Sequence, residues 1–179
     1  YKYIFSHMNL NNYIRDIADF PKKGIIFKDI TPLLKDNEAF KYIIEAFKKR
    51  ISNNEIDYII GIESRGFILG AALAQSLNCG FVPIRKKGKL PYKVISETYD
   101  LEYGQDTLEM HIDALEANNN VVLIDDVLAT GGTISACLKM LETFKVNIIE
   151  CQFLIEIHTL KGNEKIISFD KKHYSLINF

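Results

Sequence analysis

The sequence predicts a doubly wound α/β fold, a central parallel sheet flanked by helices, and three observations predict it. Between residues 56 and 157, short β-branched runs alternate with segments of helical periodicity. Three of those runs stop abruptly at chemistry-bearing residues: IDYIIGI at ESRG, FVPI at RKKGK, and VVLI at DDVLATGGT. In such sheets ligands bind beyond the C-terminal ends of the strands, so all three clusters are expected on one edge. Finally, 179 residues suit one domain, 1–179, without internal repeats or linkers. A domain of that size buries roughly 70% of its unfolded surface, enough for an ordinary core.

Composition narrows the function classes. A formal charge of −1 with 25% charged residues offers no excess of either sign for a nucleic acid or an anionic membrane. Cys79, Cys137 and Cys151 are far apart and form no CxxC pair, so they read as reduced core residues rather than a disulfide framework or a zinc site. No run approaches the roughly 18 apolar residues of a membrane-spanning helix, and no secretory signal pattern opens the chain. A cytoplasmic protein is expected. Met8 stands a few residues in, and residues 1–7 carry no functional reading.

In chain order, Leu10, Ile14 and Ile17 sit at helical spacing and predict a short amphipathic helix over 10–19, ended by Phe20-Pro21. GIIFKDITPLL is interrupted by Asp29 and Pro32 and reads as an extended segment with turns. From 36 to 51, Phe40, Ile43, Ile44, Phe47 and Ile51 line one face of a helix. A strand at 56–62 leads into FILGAALAQSL, whose small residues suit a helix packed closely on a sheet and stopped at Asn78-Cys79-Gly80. A strand at 81–84 opens into a basic loop. VISETY and TLEMHI, separated by Asp100, Glu102 and Gly104, predict a hairpin that projects as a flap. After 121–124 and the helix-like ISACLKMLETF, a strand is expected at 147–157, with IISF and HYSLINF as minor edge strands.

The strongest chemical signal is VVLIDDVLATGGT (121–133), a buried strand ending at Asp125 and Asp126. The following Ala129, Thr130, Gly131, Gly132 and Thr133 have amides that a ligand can approach closely, ahead of a helix N-terminus suited to a dianionic monophosphate. The two carboxylates can accept hydrogen bonds from sugar hydroxyls. An isolated TGGT is more often a plain turn with a threonine cap, but two carboxylates directly before it make that account poor. Neither GxxxxGK[ST] nor GxGxxG occurs. His7, His111, His158 and His173 have no ligand partner at metal-binding spacing.

This motif resembles the diphosphate-sugar (PRPP) site of the type I phosphoribosyltransferases. DFPKKGIIFKDITPLLKD, IDYIIGIESRGFILGAALAQ, IRKKGKLP and LEYGQDTLEMHIDAL resemble, in order, blocks of the adenine phosphoribosyltransferase branch, from about Ile17 to about Lys165. The resemblance implies a five-stranded parallel core, a hood formed in part by 17–35 and a flexible flap over 85–110. It implies transfer of phosphoribose from PRPP to adenine, giving AMP and pyrophosphate, with Mg²⁺ held mostly by substrate and water and no dedicated protein cage.

Carried over residue by residue, the resemblance assigns Asp125 and Asp126 to the ribose and 129–133 to the 5′-phosphate. Arg65, Arg85, Lys86 and Lys89 are assigned to pyrophosphate, where a leaving group gathering negative charge needs cations. Arg85 is further implied to reach a neighbouring subunit's site in a homodimer. Adenine falls to Ile26, Phe27, Lys28 and Ala129: Phe27 stacks, while the Ile26 carbonyl and Lys28 amide match the adenine amine and N1. Glu102 becomes the acid/base group at adenine N7, with Tyr103 and Tyr99 lining the closed flap. Lys28 stands where the family usually has Arg, and Glu63 where Asp is more usual. The rival readings are an enzyme for hypoxanthine or xanthine and a PRPP-sensing regulatory protein without turnover. A regulator of that kind usually carries a DNA-binding extension, and the sequence shows none.

Overall fold

The computed structural model describes residues 8–100 and 104–179, in two compact units, Tyr1–Ala46 and Phe47–Phe179. In the first unit the chain makes a 3-10 turn at Leu10–Tyr13, then β1 (Arg15–Ala18), which pairs antiparallel with β2 (Ile26–Asp29). The helix expected over 10–19 is therefore replaced by a turn and a strand. Ile14 is already extended, at φ −104° and ψ 128°. Three apolar positions over so short a stretch do not separate a helix from a strand, and Pro21 holds Phe20 out of helical geometry. Cross-strand partners decide it: Lys28 Nζ donates to Asp16 Oδ1 at 2.8 Å. The extended reading of the next segment holds for β2, but Pro32 opens the short helix α1 (Thr31–Lys35) instead of interrupting a turn. In a first helical turn the missing N–H has no cost, and Asp29 supports that start by accepting from Thr31 N at 2.9 Å and Thr31 Oγ1 at 2.8 Å. Helix α2 (Asn37–Arg50) follows and runs across the division between the units, started by Asp36 Oδ1, which accepts from Ala39 N at 2.9 Å.

The second unit is built on a seven-stranded sheet. Its elements are β3 (Tyr58–Ile62), α3 (Arg65–Leu77), β4 (Gly80–Lys86), β5 (Val94–Asp100), β6 (Gln105–His111), β7 (Asn120–Leu128), α4 (Gly132–Phe144), β8 (Asn147–Glu156), α5 (Gly162–Ser168) and β9 (His173–Asn178). The strand order is β5-β6-β4-β3-β7-β8-β9. The stretch from β4 to β9 is parallel throughout, as the resemblance implied. The hairpin β5–β6 forms where the sequence predicts it and is joined to the sheet, with Arg85 opposite Glu109 and Lys86 opposite Leu108. IISF, expected as an edge strand, is helical through Ser168 in α5, with Phe169 as its C-cap: Ile166 is fully buried while the adjacent Ile167 is 59% exposed.

Side chains alternate across the strands and so serve two layers. Ile60, Ile62, Val121, Leu123, Cys151 and Phe153 form one core with Ile134, Cys137, Leu138 and Leu141 of α4 and Ile166 of α5. Helix α3 covers β3 and β7, and it can come so close because of its small residues. A Cβ on Gly70 would stand 2.8 Å from the Phe81 ring and 3.0 Å from Ile124 Cγ2. Gly70→Val gains slightly in helix propensity. The close approach nevertheless predicts a net loss of about 1–3 kcal/mol from overpacking, measured by urea denaturation; an unchanged or raised midpoint would contradict it.

Candidate active site

Strand β7 is buried over 121–124, carries its two carboxylates inside its C-terminal half, and runs on to Leu128 rather than stopping at them. Asp125 and Asp126 follow Ile124, and the alternation of the strand sends them to opposite faces. Asp126 is 6% exposed, and its Oδ2 lies 2.8 Å from Arg65 Nε. This is a charge contact without hydrogen-bond alignment, so Oδ2 has no hydrogen bond among the described residues. Asp125 Oδ1 accepts from the Asp126 amide at 2.9 Å. Burial pushes the Asp125 carboxyl well above the usual carboxylate range, with the neighbouring Asp126 charge adding to the rise and Arg65 opposing it. Burial also raises Asp126, against the pull of Arg65. Hydrogen-bond donors from a polyhydroxy ligand would favour the ionised form of this buried pair, which Arg65 already offsets in part.

Beyond β7 the chain turns sharply into α4. Gly131 caps that helix at φ +78°, with no side-chain cap, so the first-turn amides are left for another acceptor. A side chain at 131 is further excluded by Gly162 O and Lys165 Cγ, which would stand 2.6 Å and 2.8 Å from its Cβ. Asp125, residues 127–134 and Phe153 line a cavity of about 70 Å³ at this turn, room for a compact anion. Thr130 is exposed at its mouth, and Thr133 is half-buried.

Helix α3 brings the second cluster to the same edge. A Cβ on Gly66 would lie 2.8 Å from Ile124 O and 2.9 Å from Asp125 Oδ1, so the chain beside Arg65 abuts the carboxylates. The peptide between Glu63 and Ser64 is cis. Glu63 Oε2 accepts from Arg85 Nε at 3.2 Å and from the Lys86 amide at 2.9 Å, and Arg85 Nη1 donates to Lys89 O at 3.2 Å. Burial would raise Glu63, but the Lys86 amide and Arg85 outweigh it and hold the carboxyl below its usual range. Arg85 also lies 5.9 Å over the Phe67 ring. Lys86 Nζ pairs with Asp106 Oδ2 at 3.2 Å, while the Lys89 side chain is exposed.

The structure thus brings together Asp125, Asp126, residues 129–133 and Arg65, with Arg85 and Lys86 at the end of β4, across β3 from β7, and Lys89 in the loop that follows. Ile26, Phe27 and Lys28 lie on β2 of the first unit, where Ile26 is 57% exposed and Phe27 packs edge-on against Phe20 at 5.1 Å. Glu102 and Tyr103 lie outside the described residues. Sequence reasoning missed the Glu63 clamp on Arg85 and Lys86, the Asp106 partner of Lys86 and the buried Glu109, whose Oε2 accepts from Gly88 N at 2.9 Å. The ladder register that opposes Arg85 to Glu109 is a long-range fact with no local sequence signal. Among the described residues no group of three or more His, Cys, Asp or Glu is arranged to hold a metal ion, and no helix is long and apolar enough to cross a membrane.

Comparison with known proteins identifies the family and the fold. The phosphoribosyl transferase domain model matches residues 31–177. The chain is 55% identical over 159 residues to the adenine phosphoribosyltransferase of Brachyspira hyodysenteriae, covering 89% of this chain and 94% of that protein. It is 54% identical to the enzyme of Halothermothrix orenii, covering 91% and 96%. Among solved structures, the adenine phosphoribosyltransferase of Thermoanaerobacter pseudethanolicus superposes with a TM-score of 0.90 at 48% identity, covering 95% of this chain and 98% of that one. The Trypanosoma brucei enzyme, in complex with AMP, pyrophosphate and ribose-5-phosphate, gives 0.88 at 27% identity, covering 94% and 77%.

The raised Asp125 predicts an unusual pH dependence of stability. Below the ordinary value of 3.8 the carboxyl is protonated in both folded and unfolded chains. As pH rises from there through the elevated folded value, ionisation costs the folded state stability. Asp125→Asn is therefore expected to have a higher urea midpoint than the parent at pH 7, with the gap closing below pH 3.8. A gap that is absent at pH 7, or that widens in acid, would contradict the burial account.

Proposed function

The chain belongs to the phosphoribosyl transferase family, and from that premise we infer that it transfers the 5-phosphoribosyl group of PRPP to adenine, giving AMP and pyrophosphate in purine salvage. The observation that carries this reading is the Asp125–Asp126 pair near the C-terminal end of β7, followed after a short turn by the uncapped N-terminus of α4. One half of that arrangement accepts hydrogen bonds, as ribose hydroxyls require, and the other donates them, as a 5′-phosphate requires.

In the proposed reaction the bond from the anomeric carbon to pyrophosphate breaks as the bond to the adenine ring nitrogen forms. Positive charge develops on the ribose and negative charge on the leaving group. The carboxylates of Asp125 and Asp126 serve the ribose, and Ala129, Thr130, Gly131, Gly132 and Thr133 hold its phosphate. Arg65, Arg85, Lys86 and Lys89 serve the departing pyrophosphate. Glu102 exchanges a proton with adenine N7, and Tyr103 accompanies it on the flap. Phe27 stacks on the base, with Ile26, Ala129 and the Lys28 backbone completing its recognition. The Lys28 ammonium is engaged by Asp16, which supports a purely backbone reading by that residue. We take residues 17–35 as the hood and 85–110 as the flap of one functional domain.

Mg²⁺ fits this donor set as a substrate-borne ion: two carboxylates, one with a buried oxygen lacking a hydrogen bond among the described residues, suit a hard cation held chiefly by diphosphate oxygens and water. When bound, it would neutralise charge on the diphosphate. A homodimer is proposed, with Arg85, fixed by Glu63 and Phe67, as the residue offered to a neighbouring copy. The free cysteines, two of them buried, support a reducing, cytoplasmic setting. No observation favours a 6-oxopurine substrate or a regulator without turnover.

Incubated with PRPP, Mg²⁺ and either base, the protein is expected to form AMP and to leave hypoxanthine essentially unused, since a site that hydrogen-bonds one polar pattern rejects another by about 10⁴-fold or more. Incorporation of hypoxanthine but not adenine would overturn the assignment. Glu102→Gln is expected to lower kcat by about 10²–10⁴; full activity in that variant would remove proton transfer from its role.

A further inference from the structure

Strand β5 lies along α4 through its odd-numbered side chains: Ile95 packs on the core, Glu97 takes Lys139 Nζ at 3.1 Å, and Tyr99 reaches the first turn of the helix. There the Thr133 hydroxyl donates to Tyr99 Oη at 3.4 Å. The approach depends on Gly132, because a Cβ at that position would stand 3.3 Å from both Tyr99 Cδ2 and Asp100 O. Two hydroxyls therefore face each other beside the loop read above as the phosphate site, one from the loop and one from the strand laid across it.

Resting on that reading, we propose that Tyr99 is a positioning residue for the 5′-phosphate, acting through Thr133. Both hydroxyls are rotors. With an anion in the loop, the lower-energy arrangement reverses the pair: Tyr99 donates to Thr133 Oγ1, and Thr133 turns its own proton to the phosphate. The chain Tyr–Thr–phosphate then gains from mutual polarisation in a partly buried setting. Tyr99 suits the donor's part because burial raises its phenol, with Asp106 and Asp125 adding to the rise against the Thr133 hydrogen bond. A tyrosine that merely packed against α4 would need only its ring.

Steady-state kinetics of Tyr99→Phe, Thr133→Val, Thr133→Ser and the doubles test the assignment. Tyr99→Phe is expected to raise KM for PRPP and Kd for AMP roughly two- to ten-fold, the range of one lost hydrogen bond. It should leave KM for adenine, kcat and the urea midpoint near parent values. In Thr133→Val the tyrosine substitution should cost nothing further, whereas in Thr133→Ser, which keeps the hydroxyl, its cost should persist. An unchanged KM for PRPP in Tyr99→Phe, or an equal loss in the Thr133→Val background, would overturn the proposal while leaving the function intact. A parent enzyme that shows no PRPP-dependent use of adenine would instead overturn the reading beneath it.

Discussion

Two carboxylates side by side at the end of a buried strand are costly to hold ionised, and much of the second unit is arranged around them. Asp125 and Asp126 repel each other and are pushed toward the neutral form by burial, and the chief compensating charge is Arg65 at 2.8 Å from Asp126. That contact requires α3 to start directly against β7, which requires glycine at 66. The placement of the helix, the absence of a side chain and the ionisation of the pair are thus one constraint. A site kept at such expense is characteristic of function rather than of stability.

The same logic extends to the anion half. A helix N-terminus becomes a binding site only where its amides are uncapped and its approach is open. Gly131 in its left-handed conformation, packed against the Gly162 carbonyl, keeps the turn tight, and Gly132 admits the Tyr99 ring above the first turn. The basic cluster is organised differently: Glu63 anchors Arg85 and the Lys86 backbone, so the longer acidic side chain at this position holds the strand end. Cationic side chains that are prefixed in this way lose less freedom when an anion arrives.

Much of this was legible in the sequence because it is local. The periodicity of 36–51, the small-residue helix after IDYIIGI, the hairpin punctuated by Gly104 and the three polar strand ends all correspond to elements of the structure. What was not legible depends on partners distant in sequence. Residues 10–19 became a turn and a strand because Asp16 and Ile17 found Lys28 and Phe27 opposite them. IISF became helical because Ile166 and Phe169, three residues apart, both pack on the core beneath α4, while Ile167 between them faces outward. Tyr99 was placed on the flap by the resemblance, but its meeting with Thr133 was not legible, since it depends on which face of β5 meets α4.

The central claim is that the end of β7 and the start of α4 form one ribose-phosphate site. A crystal structure of the protein grown with AMP tests it most directly. The ribose hydroxyls are expected on Asp125 and Asp126, and the 5′-phosphate within hydrogen-bond distance of the amides of residues 130–133. AMP bound elsewhere, or seated with its phosphate away from the Gly131–Gly132 turn, would contradict it.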